Sequence, residues 1–119
     1  MARQSVTSAI YPYLPVSFVI NSHQYSALAL VDTGFTGELA IPAGLPVEDL
    51  GDPETPIDWE LADGSTVEAP LYPGTLVIGQ FPPFSAAITV LGNSYMLRRG
   101  AIDRYEVTFD HGQRVILTP

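Results

Sequence analysis

The chain has 119 residues, with thirteen acidic side chains, five basic ones and no cysteine, for a formal net charge of −8. That length holds one domain around one core, and the 46% hydrophobic and 15% charged fractions exclude a disordered chain. The acidic balance argues against nucleic acid and anionic membranes as partners, and without cysteine neither a disulfide framework nor thiolate chemistry is available.

The start, Met1 to Ser5, runs into Ile10-Tyr11-Pro12-Tyr13-Leu14-Pro15. This stretch is too short and proline-broken for the core of a secretory signal, so a cytoplasmic protein is expected. Residues 1–15 are expected to be irregular or edge-like, because Pro12 and Pro15 limit any ladder. Residues 16–20 alternate and carry β-branched side chains, residues 21–24 offer a turn, and residues 25–31 return as a second strand. Residues 39–41 make a short third strand, and residues 46–50 suit one helical turn. Residues 56–62 and 65–72 read as the arms of a hairpin around Asp63-Gly64, a strong two-residue turn signal. Pro73-Gly74 is expected to turn the chain again, into a strand over 75–78. An apolar strand over 84–91 ends at Gly92, and Asn93 suits the cap of a helix over 94–99. Residues 105–109 and 114–117 form a last hairpin around Asp110-His111-Gly112. Residues 69–97 carry no charged side chain, yet their prolines and glycines exclude a single membrane-spanning helix. With no repeat and no linker, residues 1–119 read as a single, mostly β domain.

The chemistry concentrates where the run Ala29-Leu30-Val31 ends in Asp32-Thr33-Gly34-Phe35-Thr36-Gly37. An acid at the end of a buried strand is costly, because a desolvated carboxylate is strongly disfavoured. Gly34 and Gly37 permit a tight turn and close approach of another molecule. Asp32 is therefore the candidate catalytic carboxylate, with backbone capping in a tight loop as the structural alternative. His23 and His111 fall in separate hairpin turns without ligand spacing, so no metal site is expected. Seven of the acids lie between Glu48 and Asp63, and four of the five arginines between Arg98 and Arg114. Arg98 and Arg99 are expected on a solvated helix face, free to pair with that acidic stretch.

In this order of elements the chain resembles the retropepsin-like aspartic proteases, and their small prokaryotic branch in particular. The likeness spans residues 16–117: catalytic loop, flap hairpin, an apolar-apolar-glycine element, a short helix and a last hairpin. It implies a closed β-barrel of the acid-protease fold with one short helix. It also implies an aspartic-type endopeptidase with Asp32 as the catalytic acid, Thr33 tying the two loops of a dimer together, and Gly34 beside the substrate backbone. Phe35 and Thr36 stand where many relatives carry a small residue and a polar one, and would contact substrate. So would the flap tip, Ala62-Asp63-Gly64-Ser65. Leu91 and Gly92 are expected to pack beside the catalytic loop. The chain has one Asp-Thr-Gly and no Asp-Ser-Gly, so a second carboxylate requires a second copy, and the expected partners are a homodimer mate and a peptide or protein substrate. No cofactor is expected. The alternative reading is a catalytically weak or inactive module that keeps the fold for dimerisation or peptide binding.

Overall fold

A computed structural model of the chain describes residues 5–43, 54–60 and 62–119. The strands among them are β1 (Val6–Ser8), β2 (Tyr13–Ile20), β3 (His23–Val31), β4 (Leu39–Ile41), β5 (Glu54–Glu60), β6 (Thr66–Ile78), β7 (Phe84–Val90), β8 (Met96–Leu97), β9 (Glu106–Asp110) and β10 (Arg114–Thr118). One single-turn helix, α1 (Arg99–Ile102), follows β8. The mostly β class is as expected, and the described residues hold one short helix, though not over the expected 94–99; the expected helical turn over 46–50 lies outside the described residues.

Alternation builds the barrel wall. On β2 the side chains of Leu14, Val16, Phe18 and Ile20 all point inward and are buried, while their neighbours are exposed or half-buried. Asn21 and Ser22 take φ values of 50° and 71°, which suits the tight two-residue turn that right-twisted strands prefer. The hairpin then runs in register from Ile20↔His23 to Tyr13↔Leu30. Strands β2, β3, β8, β4, β7 and β6 are hydrogen-bonded in that order, and β6 pairs back onto β2. Six strands thus close on themselves, which removes the open edges of a flat sheet. Strand β5 adds to β6 beyond the ring, through pairs from Glu54↔Leu71 to Glu60↔Thr66. The hairpin tip at residues 62–65 is exposed.

Two expectations need correction. Pro73-Gly74 does not turn the chain: β6 runs unbroken from Thr66 to Ile78. On one edge it pairs continuously with β7, and on the other it leaves β5 at Leu71 and takes up β2 at Thr75. Pro73, which has no N–H to donate, falls in the gap between those two partners, where the ladder asks least of it. Nor does Asn93 cap a helix over 94–99. Met96 and Leu97 are taken up as a strand between β3 and β4, and the helix starts only at Arg99. Pairing on both sides satisfies the backbone of this short apolar segment, which one helical turn could not do.

The first fifteen residues are also more regular than expected. β2 already begins at Tyr13, and β1 pairs with β10, which pairs in turn with β9. This small sheet buries Val6, Val115 and Leu117. Val6 sits over Gly79, where an added Cβ would lie 2.5 Å from a Val6 methyl. Phe81 stacks on Tyr105 with centroids 4.9 Å apart, fastening the segment before β9 to the barrel.

Gly74 marks the crowded point where β6 meets β2 and β7. A Cβ there would lie 2.6 Å from both the Val19 carbonyl oxygen and Ile88 Cδ1. The backbone oxygen cannot step aside, so Gly74→Ala is expected to cost about 1–3 kcal/mol, read as a lower urea midpoint with an unchanged m-value.

Candidate active site

Asp32 follows the last residue of β3, and its main chain is tied on both sides. Val31 N–H donates to the Pro12 carbonyl at 3.0 Å, and Asp32 N–H donates to the Leu97 carbonyl of β8 at 2.9 Å. The carboxylate is then fixed from within the loop, where Oδ1 accepts the Gly34 N–H at 3.0 Å. An aspartate two residues before the amide it binds makes an Asx-type turn, which tightens the loop. Thr33, Gly34 and Thr36 are exposed around Asp32, and Phe35 is half-buried. Asp32, Thr33, Gly34, Phe35 and Thr36 therefore share one loop surface.

The loop is clamped from the other side by the β8–α1 junction. Arg98 N–H donates to the Glu38 carbonyl at 2.9 Å, Arg99 N–H to Phe35 at 3.3 Å, and Gly100 N–H to Gly37 at 2.7 Å. Three consecutive amides thus hold the return of the Asp32 loop. At its far end the Glu38 carboxylate accepts the Ala87 N–H of β7 at 2.9 Å, anchoring the loop to the barrel wall. Gly100 makes the approach possible, because a Cβ there would lie 2.5 Å from the Gly37 carbonyl oxygen.

Arg98 is the residue the sequence reading misplaced. It is not on a solvated face: the residue is 6% exposed. Its Nε lies 3.6 Å from Asp32 Oδ2, an ion-pair contact, and its guanidinium carbon is 5.1 Å from the centroid of the Phe35 ring. Burial pushes the Arg98 pKa down from its ordinary value, and the Asp32 charge opposes that shift. Arg99, by contrast, is exposed on α1.

The expected packing element is also corrected. Leu91 N–H donates to the Ile41 carbonyl and the Gly92 carbonyl accepts from Ala43 N–H, so both lie along the far end of β4. Met96 and Leu97 take the place beside Asp32, through the pairs Leu30↔Met96 and Val31↔Leu97. The signal for them was an apolar pair immediately before two arginines.

At the hairpin tip, Asp63 Oδ1 accepts both the N–H and the hydroxyl of Ser65, at 2.9 and 2.5 Å. The hydroxyl is the main reason that the Asp63 carboxyl titrates below its ordinary value. Ala62, Asp63, Gly64 and Ser65 form the exposed turn, with Gly64 at φ +87°. His23 and His111 are both exposed. Among the described residues no group of three His, Cys, Asp or Glu side chains could hold a metal ion, and no helix is long and apolar enough to cross a membrane. A shallow concavity of about 460 Å³ lies on the outer face of β2 and β3, lined by residues such as Pro15, Ser17 and Leu28. It holds no titratable side chain.

Comparison of structures supports this reading of the architecture. The chain is similar to a crystal structure of a retropepsin-like aspartic protease from Rickettsia conorii, with a TM-score of 0.62 over 98% of this chain and 90% of that one. The sequences are 16% identical, so the likeness is one of fold. The chain has the retropepsin-like fold. No protein-family model matches the sequence, and no curated protein matches it.

Two outcomes are expected from this geometry. Gly100→Ala pushes α1 off the Gly37 carbonyl and lowers stability by about 1–3 kcal/mol in urea denaturation. Ser65→Ala returns the Asp63 titration, followed by carboxyl NMR, upward toward the ordinary carboxylate value. Because the folded pKa is depressed, the turn contact is complete above the ordinary value and is lost as pH falls through the depressed one.

Proposed function

We propose that the protein is an aspartic endopeptidase acting as a homodimer, with one Asp32 from each copy. The observation that carries the proposal is the Asp32 loop itself: a half-buried carboxylate aligned by the Gly34 amide, flanked by exposed Thr33 and Gly34, on a retropepsin-like fold. Peptide hydrolysis without a metal or a covalent nucleophile needs a base to activate water and an acid to protonate the leaving nitrogen. Two carboxyls that share one proton do both, an arrangement for which aspartic proteases are the reference case. The ionised carboxylate takes a proton from water as its oxygen attacks the peptide carbonyl. The other carboxyl first donates its proton to the carbonyl oxygen. The tetrahedral diol collapses as the C–N bond breaks. The carboxyl that took the water proton passes it to the leaving nitrogen, and a diol hydroxyl returns its proton to the other carboxylate as the C=O re-forms, so the dyad again holds one proton.

One protomer supplies one such loop, so the second carboxylate comes from a second copy about a two-fold axis. Thr33, exposed beside Asp32, is suited to meet its counterpart there. The substrate is a peptide or protein segment lying extended, with backbone hydrogen bonds for affinity and side-chain pockets for selection. Phe35, Thr36 and the flap residues Ala62, Asp63, Gly64 and Ser65 would line its path. No cofactor is required. A net charge of −8 and the absence of cysteine favour a cytoplasmic setting without nucleic-acid or membrane partners.

The buried Arg98 beside Asp32 favours a second reading, a peptide-binding dimer with little turnover. One experiment separates them. Dimeric wild-type protein, verified by sedimentation velocity, is incubated with a broad peptide library between acidic and neutral pH. Cleavage that Asp32→Asn reduces by at least about a thousandfold, with the dimer intact, is expected. Peptide binding without cleavage, unaffected by Asp32→Asn, would establish the binding module.

A further inference from the structure

Exposed apolar side chains gather on one side of the Asp32 loop. Among the described residues the large ones are Ile10, Tyr13, Leu28 and Phe109, between 36% and 55% exposed. Tyr13 and Pro15 alternate along β2 with the buried Leu14 and Val16, so both face outward. Their direct partners on β3 are Leu30 and Leu28, which share that face. Tyr11 joins Phe109 to the patch, its ring edge-on with centroids 6.2 Å apart. Ile10 completes it, in the turn that leads into β2. The turn is fixed from within: Tyr13 N–H donates to the Ile10 carbonyl at 2.7 Å, and Ile10 N–H to the Ser8 hydroxyl at 3.2 Å. A surface held this way loses little freedom when it is covered. A contiguous apolar patch facing water marks a place where something binds.

Charge decides what can cover it. Residues 4–31 contain no Asp, Glu, Lys or Arg, in a chain with a net charge of −8. The acidic parts of one copy repel those of another, and this stretch adds nothing to that repulsion. Asp110, next to Phe109 on β9, is engaged by His111 and Arg114 of its own hairpin. A basic partner is drawn instead to the seven acids between Glu48 and Asp63, and an acidic one is repelled by the net charge. The patch also adjoins the candidate site, because the Pro12 carbonyl, between Tyr11 and Tyr13, accepts the Val31 amide beside Asp32.

We propose that the Ile10–Tyr13 turn, with Leu28, Leu30 and Phe109 around it, is the surface on which a second copy of this chain docks. The inference rests on the homodimer reading above and adds the place of contact. The contact is isologous: the same apolar side chains from both copies meet about a two-fold axis and bury one another. Since Pro12 ties the turn to the end of β3, docking here brings both Asp32 loops to one interface. Added salt tightens this dimer, because it screens the like net charges and leaves the apolar contact intact.

The test measures the dimer dissociation constant by sedimentation for wild type, Ile10→Arg, Tyr13→Glu and Gln24→Glu. Gln24 is exposed at the other end of the β2–β3 hairpin, so its variant adds a charge away from the patch. Ile10→Arg and Tyr13→Glu are each expected to raise the constant at least about thirtyfold. Gln24→Glu is expected to leave it within about threefold. Ile10→Arg brings the net charge closer to zero, so its loss of dimer cannot come from overall repulsion. The urea midpoint of each variant, read at low protein concentration, stays at the wild-type value, which separates lost docking from lost folding. A wild-type dimer unmoved by both patch variants overturns the proposal and leaves the homodimer reading standing. A wild type that is monomeric at every concentration overturns both. A monomer that floats with phosphatidylcholine vesicles, and no longer does so as Ile10→Arg, gives the patch to a lipid surface and overturns the proposal as well. A dimer lost in both patch variants that cleaves no peptide supports the docking surface and removes the peptidase reading.

Discussion

A carboxylate at the end of a strand is only as well placed as the main chain beneath it, and here that support is a two-residue strand. β8 lies between β3 and β4, with Leu97 accepting the amide of Asp32 and the next three amides gripping the returning loop. The same hydrogen bonds close the barrel and orient the acid, so fold and site are not separable at this point. An insertion of one residue in β8 would reverse which side chains face inward and would turn Arg98 away from Asp32.

Arg98 changes the electrostatic character of the loop. An acid capped only by the amide of Gly34 would face solvent or a second copy as a bare charge. With a buried guanidinium behind it, and an aromatic ring on that guanidinium, the anion is neutralised from within its own chain. The loop then presents Thr33 and Gly34 outward, while its charge is answered inward. A bulky residue at position 35 is consistent with that arrangement: besides any role toward substrate, Phe35 contacts the cation.

The legible part of this architecture is the part written in local chemistry. Asn21-Ser22, Asp63-Gly64 and Asp110-His111-Gly112 announce their turns, and alternation on β2 and β9 gives the strands between them. Asp32-Thr33-Gly34 after an apolar run was equally visible. What stayed hidden depends on distant partners. Met96-Leu97 is too short to show a period, and only the flanking β3 and β4 make it a strand. Leu91-Gly92 looked more suitable beside the loop because a glycine follows an apolar residue there. Pro73 reads as a breaker until the gap between β5 and β2 is known. Arg98 carries the charge of a surface residue, and its burial follows from where β8 enters the sheet.

The small sheet has an implication for how copies of this chain could assemble. Strand β10 is flanked by β1 on one edge and β9 on the other, so its hydrogen-bonding capacity is used within the protomer. A second copy could not intercalate its own terminal strand beside β10 without first displacing one of these. The edges at which a further strand could extend this sheet are therefore the outer edges of β1 and β9, where each added residue pair would bring main-chain hydrogen bonds without disturbing the three strands already joined.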